Sequence, residues 1–105
     1  MTYDIALSAL ADPTRRAIVA ALRDSPQPVG GIAQSLPVSR PAVSQHLRVL
    51  AEAGLVSAQP SGTQRIYRLA PEGWVALRDY LDSMWDDALL AYAREAQKMA
   101  ERTKP

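Results

Sequence analysis

Apolar residues recur along this chain at two different periods, and the changes of period divide it into elements. Ile5 to Leu10 is a short apolar stretch that reads as a small helix of its own. Asp12-Pro13 then precedes Thr14 to Arg23, in which Ile18, Ala21 and Leu22 share one helical face. Asp12 supplies a side-chain cap there, and Pro13 suits the first turn, where its missing N–H costs no helical bond. Ser25-Pro26-Gln27-Pro28 interrupts the pattern, since neither proline can donate. Gly30 to Leu36 puts Ile32, Ala33 and Leu36 at helical spacing up to Pro37, a short helix weakened by Gly30 and Gly31. Ser39 caps a stronger helix with Pro41 in its first turn and Val43, Leu47 and Leu50 on one inward face. Glu52-Ala53-Gly54-Leu55 ends it, Gly54 being free to take the left-handed conformation that follows many helices.

From Leu55 the period drops to two. Leu55 to Gln59 and Gln64 to Leu69 alternate apolar and polar around Pro60-Ser61-Gly62-Thr63, the pattern of a β-hairpin. The helical period returns at Pro71 and runs to about Arg102 with Gly73 as its one interruption, and Glu101 to Pro105 read as a loose tail. Trp74, Leu77, Leu81, Met84, Ala88 and Tyr92 line one face of this last helix, and Trp85, Leu89, Ala96 and Met99 widen it. At 1.5 Å per residue it is about 45 Å long, more than so small a domain can cover, so its outer half needs a partner.

Helix, tight turn, second helix and hairpin in this order predict a winged helix-turn-helix: a mainly α fold with a small β-hairpin wing and a long C-terminal helix. One domain over residues 1–105 is expected, with the helix-turn-helix at about 30–53, the wing at about 55–69 and flanking helices at about 4–10 and 71–101. Composition agrees, since 48% hydrophobic and 22% charged residues in 105 is ordinary for a single globular domain. There is no cysteine, which excludes disulfides and thiolate metal sites, and no apolar run approaches the roughly 20 residues of a membrane span. The start, Met1-Thr2-Tyr3-Asp4, lacks the features of a signal peptide, so a cytoplasmic location is expected.

Net charge is only +1, but it is unevenly placed. Residues 1–38 are neutral and residues 69–105 carry an excess of acid, whereas residues 39–68 hold Arg40, Arg48, Arg65 and Arg68 against Glu52 alone. This basic island coincides with the second helix and the hairpin, as expected of a surface that meets phosphate. Ser39, Arg40, Pro41, Ser44, Gln45, His46 and Arg48 are the candidate DNA-contacting residues of the helix, His46 at the margin of its polar face. A helix fits the major groove, where Arg40 can pair bidentately with guanine and Gln45 with adenine, while Ser39 and Ser44 suit phosphate or either base. On the hairpin Thr63, Gln64 and Arg65 sit where a wing would reach phosphates or a neighbouring minor groove, and Gly62 permits the tight turn.

Other chemistry is poorly supplied. Ser44 and His46 lie about 200° apart on a helix and cannot share a proton, so they make no nucleophile pair, and no acid–base cluster suggests an enzyme. A lone histidine reads as a packing or phosphate-contacting residue rather than a metal ligand, and Asp79, Asp82, Asp86 and Asp87 as a solvated face. No metal and no cofactor is expected, and the sequence points to no small-molecule effector. Arg15 and Arg16 read as helix-capping or salt-bridging residues, and Trp74, Trp85 and Tyr92 as core or interface rather than a ligand pocket. The competing use of such a fold is a protein-interaction module in a transcription assembly, docking through the long helix; four cations against one acid on the reading segments favour DNA.

Three stretches together resemble the ArsR-type winged-helix repressors. They are Leu10-Ala11-Asp12-Pro13-Thr14-Arg15-Arg16-Ala17-Ile18, then Ser39 to Leu50 running into Ala53-Gly54-Leu55-Val56, then Arg65-Ile66-Tyr67-Arg68-Leu69. The likeness spans roughly residues 3–95. It implies a homodimer joined through the first and last helices, here Ile5 and Leu7 with Leu81, Met84, Trp85, Ala88, Leu89 and Tyr92. It also implies that Ser39 to Arg48 enter the groove of an imperfect inverted repeat in double-stranded DNA, and repression of transcription, often of the protein's own operon. Metal-sensing members carry Cys-x-Cys where this chain has Val29 to Gln34, or Asp and His ligands on the last helix, where it has no histidine. Trp85-Asp86 looks like the metal-free branch.

Overall fold

The computed structural model describes residues 2–103, Thr2 by its backbone alone, and Met1, Lys104 and Pro105 lie outside it. The elements are α1 (Thr2–Leu10), α2 (Pro13–Asp24), α3 (Val29–Gln34), α4 (Arg40–Glu52), β1 (Val56–Ser61), β2 (Gln64–Leu69) and α5 (Pro71–Arg102).

Helix ends are made by local chemistry. The Asp12 carboxylate accepts from Thr14 N at 2.7 Å and Arg15 N at 3.1 Å, which satisfies two of the free donors at the start of α2. Those bonds, the one from Arg15 first, hold the Asp12 carboxyl below its ordinary 3.8, aided by the charges of Arg15 and His46 and opposed by partial burial. The side chains that follow cap the preceding helix: Arg15 Nε donates to Ala9 O at 2.6 Å, and an Arg16 terminal N–H to Leu10 O at 2.8 Å. The capping role read for these two arginines is what they perform.

The helix α3 ends at Gln34, two residues short of the predicted Leu36. Ser35 N donates to Ile32 O and Leu36 N to Ala33 O, a three-residue spacing that tightens the last turn, and Pro37 has no N–H to continue it. Ser39 Oγ then accepts from Ala42 N at 3.3 Å to open α4. At its far end Gly54 N donates to Ala51 O at 3.0 Å and Leu55 N to Leu50 O at 2.9 Å, with Gly54 at φ 77°. This is a Schellman ending, and its accompanying apolar contact is made by Leu50 and Leu55, both fully buried.

The core is wholly apolar among the described residues. Ile18, Ile32, Val43, Leu47, Leu50 and Leu55 are its largest fully buried side chains, contributed by α2, α3, α4 and the turn after it. Burying one such side chain stabilises by about 1.5–3 kcal/mol, so these positions hold α4 in a fixed orientation.

The strands β1 and β2 pair antiparallel from Val56↔Leu69 to Ser61↔Gln64. The ladder runs further than the alternation predicts, leaving Gly62-Thr63 as a two-residue turn with Gly62 at φ 62°. A positive φ at the first central position alone is the II′ arrangement, which matches strand twist. Pro60 faces Arg65 at a position where the alternating ladder makes no bond, so its missing N–H breaks no rung. Gln27 adds a single bridge on the other edge of β2, exchanging bonds with Tyr67 at 3.0 and 2.8 Å. As the residue before Pro28 it is biased to extended backbone, and this ties the break between α2 and α3 to the wing.

At its base α5 is anchored on one carbonyl, Leu55 O, which accepts from Ala70 N at 3.0 Å and from Trp74 Nε1 at 2.9 Å. Gly73 lies against the Gly54 carbonyl so closely that a Cβ there would overlap its oxygen. Tyr3 of α1 stacks on Tyr80, ring centroids 4.6 Å apart. Beyond this the helix leaves the domain: among the described residues Leu77 is the last buried one, and every residue from Leu81 to Thr103 is exposed. Helix α5 continues through Arg102, past Glu101, where the sequence predicts a tail. The molecule is accordingly elongated, 75 × 26 × 23 Å, with a radius of gyration of 19.8 Å against about 13 Å for a compact chain of this length.

Candidate nucleic-acid interface

With Val43, Leu47 and Leu50 turned inward, helical geometry leaves Arg40, Ser44, Gln45 and Arg48 exposed on the opposite side of α4. The wing stands beside that face. Alternation along β2 puts Arg65, Tyr67 and Leu69 on the inward side of the hairpin and Arg68 on the outward side. Tyr67 packs against the core, and Arg65, two residues nearer the tip, carries the same side out to α4 as a cation.

Two open grooves result. Arg40 and Ser44 of α4 meet Gln64, Arg65 and Tyr67 of the wing and Gly30 of α3 around one of them. Ser44, Arg48 and Ala51 meet Ala58, Arg65 and Tyr67 around the other. Ser44, Arg65 and Tyr67 therefore stand between the grooves, and no acidic side chain lines either. Among the described residues the ion pair is Arg78 with Asp79 on α5, so Arg40, Arg48 and Arg65 face solvent without a carboxylate partner.

The remaining candidates are placed differently. Gln45 is exposed on the outer face of α4 but lines neither groove; Ser39 and Pro41 are exposed at its start, where Ser39 Oγ is already engaged as the cap. Thr63 is exposed at the tip of the wing. His46 is half-buried and turned toward α2, its Nδ1 3.4 Å from an Arg15 terminal nitrogen. Sequence reasoning missed Gly30 and Tyr67 as groove residues. For Tyr67 the signal was present, since alternation puts it on the face of Arg65.

The residues predicted to meet a second chain are all exposed: Ile5 and Leu7 on α1, and Leu81, Met84, Trp85, Ala88, Leu89 and Tyr92 on α5. Trp85 is 66% and Tyr92 74% exposed, unusual for aromatic side chains in a folded domain. Val75, Leu90 and Met99 add to the exposed apolar surface. Among the described residues no group of three His, Asp or Glu side chains is set to hold a metal ion, and no helix is long and apolar enough to cross a membrane.

A short helix, a tight turn, a second helix with an unpaired basic face and a two-stranded wing beside it define a winged helix-turn-helix of the DNA-binding kind. Comparison with known proteins makes this more specific. The family profile described as bacterial regulatory protein, arsR family, matches residues 12–58. The chain is 57% identical over 91 residues to the HTH-type transcriptional regulator Rv2034 of Mycobacterium tuberculosis, covering 87% of this chain and 85% of that protein. It is 48% identical over 64 residues to the HTH-type transcriptional repressor SmtB of the same species, covering 61% of this chain and 47% of that one. Among solved structures, the homodimeric winged helix-turn-helix DNA-binding domain of Mb0332 from Mycobacterium bovis superimposes with a TM-score of 0.67 at 28% identity, over 84% of this chain and 82% of that one. The chain belongs to the ArsR family of bacterial transcriptional regulators.

Proposed function

We propose that this chain is a homodimeric, sequence-specific repressor that reads an inverted-repeat operator through α4, acts in the cytoplasm and controls its own transcription. The observation that carries this reading is the convergence of Arg40, Ser44, Gln64 and Arg65 on one groove free of acidic side chains. Arg40 and Gln45 serve as base readers, with Ser44 beside Arg40 in that groove and Ser39 and Pro41 exposed at the start of the same helix. Arg48, His46, Thr63, Gln64 and Arg65 hold the backbone. Self-association is supported by the exposed apolar stripe of α5 and by the homodimeric state of the Mb0332 domain. Repression is supported by the likeness to SmtB.

The test is fluorescence anisotropy with duplex from the gene's own upstream region and with a scrambled duplex, across a salt series. Tighter binding to the upstream duplex is expected, with log affinity falling against log salt by about 0.9 for each phosphate neutralised. Arg65→Ala should weaken both duplexes and reduce that slope, whereas Arg40→Ala should narrow the gap between them. Equal, weak binding to both duplexes would contradict autoregulation and leave either a target elsewhere in the genome or a docking role for the winged helix, which genome-wide binding and a pull-down separate.

A further inference from the structure

Gly30 and Gly31 stand side by side in the six-residue helix α3, where glycine is among the poorest helix formers. For Gly30 the structure supplies a reason. A Cβ at this position would lie 2.6 Å from an Arg40 terminal nitrogen, 3.0 Å from its Cζ and 3.5 Å from its Nε. Non-bonded carbon atoms rest at about 3.5–4.0 Å, so the guanidinium of Arg40 occupies the space that any other residue at 30 would fill. Gly31 meets a different side chain, its Cβ position lying 3.3 Å from Gln27 Oε1.

We propose that Gly30 is a positioning residue for Arg40: by leaving the surface of α3 bare it lets the guanidinium lie across that helix, at the groove shared with Ser44, Gln64 and Arg65, and so sets the base preference of α4. This rests on the reading of α4 as the base-reading helix. Bidentate recognition by arginine depends on the direction of its planar fork, and a binding group must be held within about 0.5 Å and 10–20° of its productive geometry. A methyl at Gly30 displaces the fork by more than that tolerance. The clash is with the end of a flexible side chain and leaves the backbone of α3 in place, while alanine favours the helix. Specificity and stability therefore move in opposite directions, which a merely structural glycine would not produce.

The experiment compares the full chain with Gly30→Ala, Arg40→Ala and the double variant. A preferred duplex is selected from a random pool with the unaltered protein, and affinities are measured for every single-base change within it. Arg40→Ala should flatten the preference at the base pairs it reads by about 5- to 150-fold. Gly30→Ala should flatten the same base pairs by about tenfold, leave the others unchanged, and melt at or above the unaltered protein's Tm. The double variant should match Arg40→Ala alone, since a positioning effect needs the side chain it positions. Gly30→Ala with unaltered preference at those base pairs would overturn the inference, as would a uniform loss at all base pairs accompanied by a lower Tm. A protein that selects no sequence, or Arg40→Ala with every preference intact, would overturn the reading of α4 and this inference with it.

Discussion

Replacing Leu89 with alanine should weaken the proposed self-association about thirtyfold. The chain exposes 7417 Å², whereas a compact monomer of 11.4 kDa exposes about 5,800 Å². The excess, about 1,600 Å² per chain, is of the size that pairing two protruding α5 helices would remove, and doubled it falls in the range of obligate homodimers. Leu89 lies on the protruding part of α5 and is 50% exposed in the single chain. Completing its burial gains about half of the roughly 2 kcal/mol that a leucine side chain gains in full. A two-fold interface counts the loss twice, which gives about 2 kcal/mol, or about thirtyfold in Kd. Leu89→Glu should go further and yield monomer, because it would bury a carboxylate without a partner. Analytical ultracentrifugation over a concentration series reads both variants, with far-UV circular dichroism to confirm that α5 remains helical. If both sediment as the unaltered protein does, the interface does not include this stripe.

Four further substitutions or conditions test the fold that carries the site. Leu47→Ala, at a fully buried position of α4, should destabilise by about 2–5 kcal/mol in urea denaturation; a loss under about 1 kcal/mol would mean that the core does not hold α4. Gly73→Ala should cost about 1–3 kcal/mol by the same measurement, since its Cβ would overlap the Gly54 carbonyl oxygen and α5 would have to lift from the end of α4. Asp12→Ala should lower Tm at neutral pH by removing the α2 cap. Because the Asp12 carboxyl titrates below its ordinary 3.8 in the folded chain, its contribution is complete above that pH and fades as pH falls through the folded value. The gap in Tm between Asp12→Ala and the unaltered protein should therefore narrow under acid, and a gap independent of pH would contradict the carboxylate cap.

The parts of the fold legible in the sequence are those set by neighbours. Val43, Leu47 and Leu50 announce the inward face of α4 because burial repeats with the helical period, and Ser39 with Pro41 marks its start because only the first turn accepts both. Gly54 similarly marks the Schellman ending. What escaped depends on approach between distant segments. The Gln27–Tyr67 bridge joins residues far apart in the chain through one backbone pair, too short to leave a periodic trace. Gly30 and Gly73 each make room for a group contributed by another element, and a glycine in a sequence does not say which. The candidate site divides in the same way. The basic outer face of α4 could be read from spacing, but the meeting of Arg40 with Arg65 around one groove arises only when the wing folds back beside the helix.

The most direct test of the proposed DNA-reading surface is selection by the unaltered protein from a random pool of duplexes, followed by sequencing. Enrichment of an inverted repeat is predicted, with half-sites centred about 34–36 Å apart or a multiple of that distance, as two α4 helices in a two-fold dimer require. Recovery of unenriched sequence, or of single half-sites bound by one chain, would contradict it.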